Sequence, residues 1–336
     1  MTDSRIKWID MAKGLGIILV IVAHLQPTFF TQEIYTFHMP LFFFLSGYVF
    51  SVERYKLLPF IKRKSKTILV PYFLLGIPMI LFTFLQMIMD HKVESPGAYG
   101  AVIIAFLLQK KLWTIWFLTC LFLTNLLFYF IARMFKSNLM IQGIVVLAFA
   151  SLGLYYYRNG GTPLLWNVDV CLTALPFFYG GYVLKNIRSV QTQILRNDKF
   201  SILYFILFLA INVATGIWNK SISGHGLEMF YNQYAFEPLT YLSAFSGILW
   251  IIILSKALYI KGIAYLGKHS LVYFSWHQVM MIPLLDWCFH GLSIFQDQSA
   301  PMNDVRVFVS TIIIIAILTP VDMLIRRTRL KCMVGG

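Results

Sequence analysis

The chain has 336 residues, of which 59% are hydrophobic, 17% aromatic and 12% charged, and its mean hydropathy is +0.72. Soluble domains carry about 25% charged residues, so this composition excludes a water-soluble enzyme and predicts an all-α polytopic membrane protein. The formal net charge of +14 is compatible with a nucleic-acid partner, but the distribution of the basic residues predicts membrane topology and no nucleic acid.

Ten apolar stretches approach the length of about 20 residues that a helix needs to cross a bilayer. They fall at 9–30, 37–52, 67–89, 112–132, 139–157, 164–184, 200–218, 237–256, 270–289 and 305–325. The apolar segment 98–108 is too short to span and predicts a re-entrant or interfacial piece. Because no repeat or linker divides the sequence, residues 1–336 are expected to form a single integral-membrane domain.

The basic residues predict the orientation of these spans. Ten spans put both termini on the same side of the membrane. With the N-terminus in the cytoplasm, 22 of the 28 lysines and arginines lie inside and 6 lie outside. This excess is the positive-inside pattern, so we expect both termini in the cytoplasm and contact with membrane lipid throughout.

The first span carries three polar side chains in an otherwise apolar stretch. Asp10, Lys13 and His24 share one helix face, because separations of three and eleven residues are close to whole turns. A rise of 1.5 Å per residue puts His24 about 16 Å beyond Lys13. Ionisable groups inside a membrane are costly and normally point into the protein. This face is therefore a candidate catalytic surface.

Four basic residues also cluster in the first inner loop, at Lys62, Arg63, Lys64 and Lys66. Anchoring to anionic lipid explains such a cluster without any ligand. A phosphorylated or CoA-type cofactor is the functional alternative, because a polyanion needs several cations. The sequence has no glycine-rich phosphate loop, so nucleotide hydrolysis is not indicated.

Other polar residues lie at or inside the ends of predicted spans. His38 opens the second span and His277 lies within the ninth, where a histidine needs a partner unless it is solvated. Trp116 opens the fourth span, as aromatic-belt residues do. Asp169 and Glu237 can orient a histidine, bind a sugar hydroxyl or simply be solvated. No metal-ligand spacing is present, so no metal is expected.

These motifs follow the order of the membrane acyltransferase-3 family, and the chain resembles its fucose 4-O-acetylase-like branch. The resemblance rests on Asp10, Lys13 and His24, on Phe43-Phe44-Leu45-Ser46-Gly47, on Arg63 and Lys66 before Pro71-Tyr72, on Trp116-Phe117-Leu118, and on Gly267, Ser270 and His277. Lys13 and Lys66 depart from the family pattern, which usually has arginine there. A lysine keeps the charge but loses the bidentate fork.

The resemblance implies a bacterial plasma- or inner-membrane O-acetyltransferase that moves acetyl from acetyl-CoA to a cell-surface or lipid-linked saccharide. A thioester is already activated, so the reaction needs a base and oxyanion stabilisation. His24 serves as that base or carries the acyl group covalently. The candidate residues are His24, Lys13 and Asp10 for catalysis, Arg63, Lys66, Lys62 and Lys64 for the CoA phosphates, and His38, Glu237, His277 and Trp116 for the acceptor.

Two other classes of protein fit the same features. A flippase for polysaccharide lipids lines its path with polar helices, and a non-catalytic scaffold of a polysaccharide synthesis complex needs only the helices, with a homodimer as one arrangement. Transporters more often show broken helices in corresponding halves, which this sequence lacks. For the enzyme, we predict that the pantetheine arm reaches His24 through a channel between helices. The acceptor then enters from outside near His38 and Glu237.

Overall fold

The computed structural model describes residues 6–27, 30–90, 97–109, 112–136, 138–194, 199–223, 227–289 and 299–335. These residues are almost entirely helical, with a single isolated β-bridge and no strand among them. Five basic residues of the orientation count lie outside the described ranges: Arg5, Lys92, Lys110, Lys111 and Arg196.

The helices follow one another with short connections. They are α1 (Lys7–His24), α2 (Thr31–Tyr48), α3 (Leu57–Met89), α4 (Gly97–Leu108), α5 (Trp116–Met134), α6 (Leu139–Arg158), α7 (Val168–Asn186), α8 (Arg188–Ile194), α9 (Lys199–Ser223), α10 (Glu237–Ala257), α11 (Lys261–Lys268), α12 (270–289) and α13 (Ala300–Arg327). Helices α3 and α12 each contain one wider π turn, at Ser65–Leu69 and His277–Met281. Each of the ten predicted spans overlaps one of these helices.

Six of the described helices are long and apolar enough to cross a membrane by themselves, namely α3, α5, α6, α9, α10 and α13. Helix α1 is not among them because its 18 residues include three charged ones, Lys7, Asp10 and Lys13. The total of ten spans and the orientation of the termini stay predictions.

Helix α3 begins at Leu57, ten residues before the predicted start of the third span. The reason is an amphipathic first segment, in which Phe60 is buried while Lys62 and Arg63 are exposed. The basic cluster therefore lies on a helix and its π turn, and not in a loop. A helix holds these cations at fixed spacing along one element.

Glycines allow two pairs of helices to approach backbone to backbone. A Cβ atom on Gly14 of α1 or on Gly267 of α11 would lie 1.8 to 1.9 Å from a backbone oxygen of the facing helix. Gly47 of α2 and Gly181 of α7 make the same close approach to each other's helix. No residue with a side chain fits at such distances, so these four glycines fix how α1 and α2 pack against the rest.

The cations of α1 and α3 collect at one end of the helix array. We call it the basic end; it holds Lys13, Lys62, Arg63, Lys64 and Lys66. Lys64 lies within electrostatic range of both Arg63 and Lys13. The opposite end contains the C-terminus of α1, where the side-chain amide of Asn303 donates a hydrogen bond to the carbonyl of Gln26 at 2.9 Å.

Candidate active site

A cavity of about 460 Å³ lies between the helices at the end opposite to the basic end. We call this the cavity end. The volume falls in the range of roughly 300–1,000 Å³ that is usual for small-molecule sites. The lining includes histidine, aromatic and amide side chains, among them His24, His38, Tyr35, Trp113, Trp116, Phe230, Tyr231, Gln86 and Gln278.

His24 is the last residue of α1 and is held by two neighbours. Its Nδ1 lies 2.8 Å from the carbonyl oxygen of Val20, one turn earlier, and 3.3 Å from Nε2 of His277. A carbonyl oxygen only accepts hydrogen bonds, so Nδ1 carries a proton, and Nε2 keeps its lone pair when the ring is neutral. Neutral His24 therefore has an unprotonated Nε2, the atom that a general base or an acyl carrier uses.

The same local geometry sets the tautomers of His277 and His38. Their Nδ1 atoms lie 2.9 Å from the carbonyl oxygens of Tyr273 and Ile34, respectively. In both rings Nε2 is thus the acceptor, and in His277 it accepts from Nδ1 of His24. His277 is fully buried behind His24. His38 lines the cavity with its ring centroid 6.4 Å from that of His24, which makes it a second candidate base.

The π turn of α12 helps to place His277. The turn begins at this residue, and such turns are frequent at functional sites. Two residues before the turn, the carbonyl of Ser275 accepts a hydrogen bond from Oγ1 of Thr114 at 3.0 Å. The segment before α5 is thereby tied to α12 beside the cavity.

The sequence interpretation missed several polar side chains that line the cavity, among them Thr83 and Glu228. Oγ1 of Thr83 is buried and has no hydrogen-bond partner among the described residues. Glu228 is half-buried in the connection before α10, and burial raises the pKa of its carboxyl. Functional residues are common in loops, but a lone threonine in an apolar helix and a lone glutamate in a loop give no sequence pattern.

Aromatic rings close the cavity towards the basic end. We call Phe42, Phe43, Phe117 and Phe274 the aromatic plug. The ring centroid of Phe117 lies 4.9 Å from that of Phe43 and 5.3 Å from that of Phe274. Phe42 is four residues beyond His38 on α2, about 6 Å nearer the basic end by helix rise, and Phe274 lines the cavity itself. The plug therefore separates the histidines from the cations.

A family model described as an acyltransferase domain matches residues 6–320. The chain belongs to this acyltransferase family. With its apolar helices it is a multi-pass membrane protein. Comparison with curated proteins finds no match, and comparison with solved structures finds none.

The acyltransferase keeps Asp10 and Lys13 away from the cavity. They lie 14 and 11 residues before His24, about 21 and 16 Å away along the helix axis. The face of α1 between them and His24 is filled by buried Ile17 and Val20. Packed side chains therefore lie on this face of α1, and the channel between helices stays a prediction.

The predicted acceptor residues separate into three groups. His38 and Trp116 line the cavity. His277 contacts His24 from behind. Glu237 forms an ion pair with Arg158 at the start of α10 and is not part of the described lining. The structure thus brings three of the four predicted acceptor residues to the histidine site, two of them in the cavity wall.

The predicted donor residues share the basic end with aromatic side chains. The guanidinium of Arg63 donates a hydrogen bond to the hydroxyl of Tyr55 and lies 4.9 Å from its ring centroid. Nζ of Lys64 lies 5.7 Å from the ring centroid of Phe60. Lys62 and Lys66 are exposed on the same helix. This arrangement presents several cations on one short segment of α3.

A second cavity, of about 680 Å³, also lies at the basic end. Arg133 and Lys136 line it from the end of α5, together with Glu53 and Tyr182. The sequence interpretation did not single out these two cations, because they look like ordinary positive-inside residues. They offer a comparison site for the cations of α3.

Asp322 of α13 forms a separate polar cluster. Its buried carboxylate accepts hydrogen bonds from Nε of Arg326 at 2.8 Å and from Nδ1 of His269 at 2.9 Å. The hydroxyl of Tyr265 lies 3.3 Å from the same oxygen. Buried charges are tolerated when they are paired in this way, so the cluster joins α13 to α11 and the start of α12 without needing a ligand.

Proposed function

We propose that this acyltransferase moves an acetyl group from acetyl-CoA to a saccharide hydroxyl, as in the fucose 4-O-acetylase-like branch that it resembles. The observation that carries the proposal is the unprotonated Nε2 of His24 in a cavity lined by a second histidine, aromatic rings and amides. The positive-inside pattern supports a cytoplasmic basic end. The cavity end then faces the outside, where surface saccharides are found.

The chemistry assigned to His24 is proton transfer. Nε2 takes the proton of the acceptor hydroxyl while its oxygen bonds to the thioester carbonyl carbon. The bond between carbon and sulfur then breaks, and the leaving sulfur of CoA takes the proton from His24. In the covalent alternative, Nε2 attacks the thioester carbonyl carbon and the CoA thiolate leaves; the acceptor hydroxyl then attacks the acetyl carbon, the bond to Nε2 breaks, and the thiolate takes the hydroxyl proton. The same nitrogen reacts in both routes.

The donor occupies both sides of the aromatic plug in this proposal. Arg63, Lys66, Lys62 and Lys64 hold the CoA phosphates at the basic end, and Lys13 adds to their field. The pantetheine arm is uncharged and long, and it carries the thioester towards His24. Because the plug closes the cavity, its rings must move aside for the arm. Aromatic side chains that pack edge to face can reopen without leaving a polar group unpaired.

The acceptor occupies the cavity. Sugar rings have apolar faces that pack on aromatic side chains and hydroxyl groups that bond to amides and carboxylates. Trp116, Trp113 and Tyr231 supply the rings, while Gln86 and Gln278 supply amides. His38 lies beside His24 and contacts the acceptor or shares its proton. This combination favours a saccharide over an apolar acceptor.

The test is acetyl transfer by the purified protein in lipid nanodiscs, with labelled acetyl-CoA and a panel of glycosides. Replacing a general base costs about 10²- to 10⁴-fold in rate. We expect His24→Ala to lose transfer to that extent while the affinity for acetyl-CoA stays within a few fold. A monodisperse elution profile controls for folding. Wild-type protein without transfer, or full transfer by a His24→Ala/His38→Ala variant, would contradict the proposal.

A further inference from the structure

We propose that Glu228 makes this acyltransferase selective for a neutral saccharide, by accepting hydrogen bonds from its hydroxyl groups and by repelling anionic sugars. This inference rests on the proposed function and adds the substrate class. It comes from the charges of the cavity wall and from the fixed position of one carboxylate in it.

The first observation is the charge of the lining. Among the described lining residues, Glu228 is the only aspartate, glutamate, lysine or arginine. Arg158, a basic residue of the same end, is paired with Glu237 away from this lining. An anionic acceptor needs a cation to offset its loss of water. The described wall offers an acidic group in its place.

The second observation is that the backbone holds Glu228 in position. Its N–H donates to the carbonyl of Gln233 at 2.9 Å, and its carbonyl accepts from the N–H of Gln233 at 3.0 Å. Inside this closed turn, Oδ1 of Asn232 accepts a hydrogen bond from the hydroxyl of Thr173 at 2.7 Å. The next residue, Met229, is buried. These contacts prevent the turn from carrying the carboxylate away from the cavity.

The third observation is that Tyr35 lies between Glu228 and the two cavity histidines in the network of contacts. Glu228 lies within electrostatic range of Tyr35. The ring centroid of Tyr35 lies 6.0 Å from that of His24 and 5.0 Å from that of His38. Glu228, Tyr35 and His24 thus line the same cavity, and in our proposal a saccharide with one hydroxyl at His24 places a neighbouring hydroxyl at the carboxylate.

The physical argument combines attraction and exclusion. A carboxylate has two oxygens and accepts from two hydroxyls, such as those of a vicinal diol. Its half-buried position has already cost part of its hydration, which sugar hydroxyls restore. A uronic acid or a phosphorylated sugar brings a second negative charge into the same confined space, and unpaired charge there is strongly unfavourable. Specificity thus includes a repulsive element.

The test compares matched acceptors and matched variants. The acceptors are methyl glucoside and methyl galactoside, each against its uronate, which differs only at C6. A hydrogen bond to a charged group corresponds to about 10- to 100-fold in binding. We expect the wild type to prefer the neutral glycosides at least tenfold in kcat/KM. Glu228→Gln should raise the KM of the neutral glycosides about tenfold and remove most of the preference.

Glu33→Gln is the matched control, because Glu33 lies at the start of α2 but not in the described lining. We expect it to keep the wild-type preference. Equal use of neutral and anionic acceptors by the wild type, or an unchanged preference in Glu228→Gln, would overturn the inference while leaving the acetyl transfer intact. Absence of transfer to every acceptor would overturn this inference together with the proposed function.

Discussion

The two ends of α1 lie in different chemical surroundings. At the cavity end, His24 is hydrogen-bonded through Nδ1 and lies among aromatic rings, and Glu228 lines the same cavity. At the basic end, Lys64 of α3 lies within electrostatic range of both Lys13 and Arg63. The ten residues between Lys13 and His24 include buried Ile17 and Val20.

This contrast indicates that the polar face of α1 carries two sites and not one. A base must be uncharged and shielded to take a proton from a hydroxyl, whereas a polyanionic donor needs cations that are open to water. A shielded base at one end of α1 and solvent-exposed cations at the other end satisfy both requirements. In the proposed reaction, the aromatic plug between them keeps the thioester of the donor apart from the water of the cavity until the pantetheine arm enters.

The largest effect expected from this comparison concerns Nε2 of His277, which contacts Nδ1 of His24. His277→Leu removes the acceptor for the Nδ1 proton of His24, so the imidazole loses one of the two contacts that orient it. A hydrogen bond of this kind is worth roughly 10- to 100-fold, and we expect kcat to fall by that factor with little change in either KM. Steady-state kinetics in nanodiscs measure it.

His277→Gln is the informative companion variant. Its side-chain oxygen accepts a hydrogen bond at a similar reach, so it should retain much more of kcat than the leucine variant. Equal losses in the two variants would mean that His277 contributes packing only. Loss of acceptor affinity without loss of kcat would return His277 to the role of a sugar ligand.

The second prediction tests the basic end as the donor site. Arg63→Ala/Lys66→Ala removes two charge-assisted contacts, and we expect the KM for acetyl-CoA to rise about tenfold or more with kcat nearly unchanged. Kinetics at saturating acceptor measure this change. Arg133→Ala/Lys136→Ala removes the same charge beside the second cavity and should stay within about twofold.

Two results would change this assignment. A larger KM increase in the Arg133/Lys136 variant would move the donor phosphates to the second cavity. Unchanged donor affinity in both variants would mean that these cations anchor the protein to anionic lipid and do not bind the donor. Sealed vesicles that contain the protein in a known orientation show from which side the donor binds. Acetyl-CoA should be consumed only when it is supplied on the side of the basic end.

Sequence periodicity predicted the helices well because each element has its own strong pattern. The apolar stretches all coincide with helices, and the spacing from Asp10 to His24 placed these residues at opposite ends of α1. The basic segment at Lys62 was predicted as a loop, since its charges hid an amphipathic helix that buries Phe60. Tertiary contact, and not local hydropathy, extends α3 to Leu57.

The sequence predicted site residues only where a polar side chain occurs within an apolar stretch. His24, His38 and His277 stand out as polar residues in membrane helices, and the structure brings all three together. Glu228 and Thr83 do not stand out, because their roles depend on a turn and on packing between distant segments. The channel prediction rests on the face of α1 alone and stays a prediction. A helical face shows where side chains point but not which neighbours fill the space.

The smallest expected effect belongs to Lys13, which tests whether the two sites are linked by charge along α1. Lys13 lies within electrostatic range of Lys64 but far from His24, so its loss should weaken the field on the donor without touching the chemistry. We expect Lys13→Ala to raise the KM for acetyl-CoA about two- to fivefold and to leave kcat nearly unchanged. The increase should shrink at high ionic strength, because salt screens exposed charges over about 10 Å at 0.1 M.

Lys13→Arg keeps the charge and should behave as the wild type, and Lys7→Ala at the start of the same helix controls for a general change in charge. A large fall in kcat for Lys13→Ala at saturating donor would show that Lys13 acts on the reacting groups after all, and the separation of α1 into two sites would then be wrong.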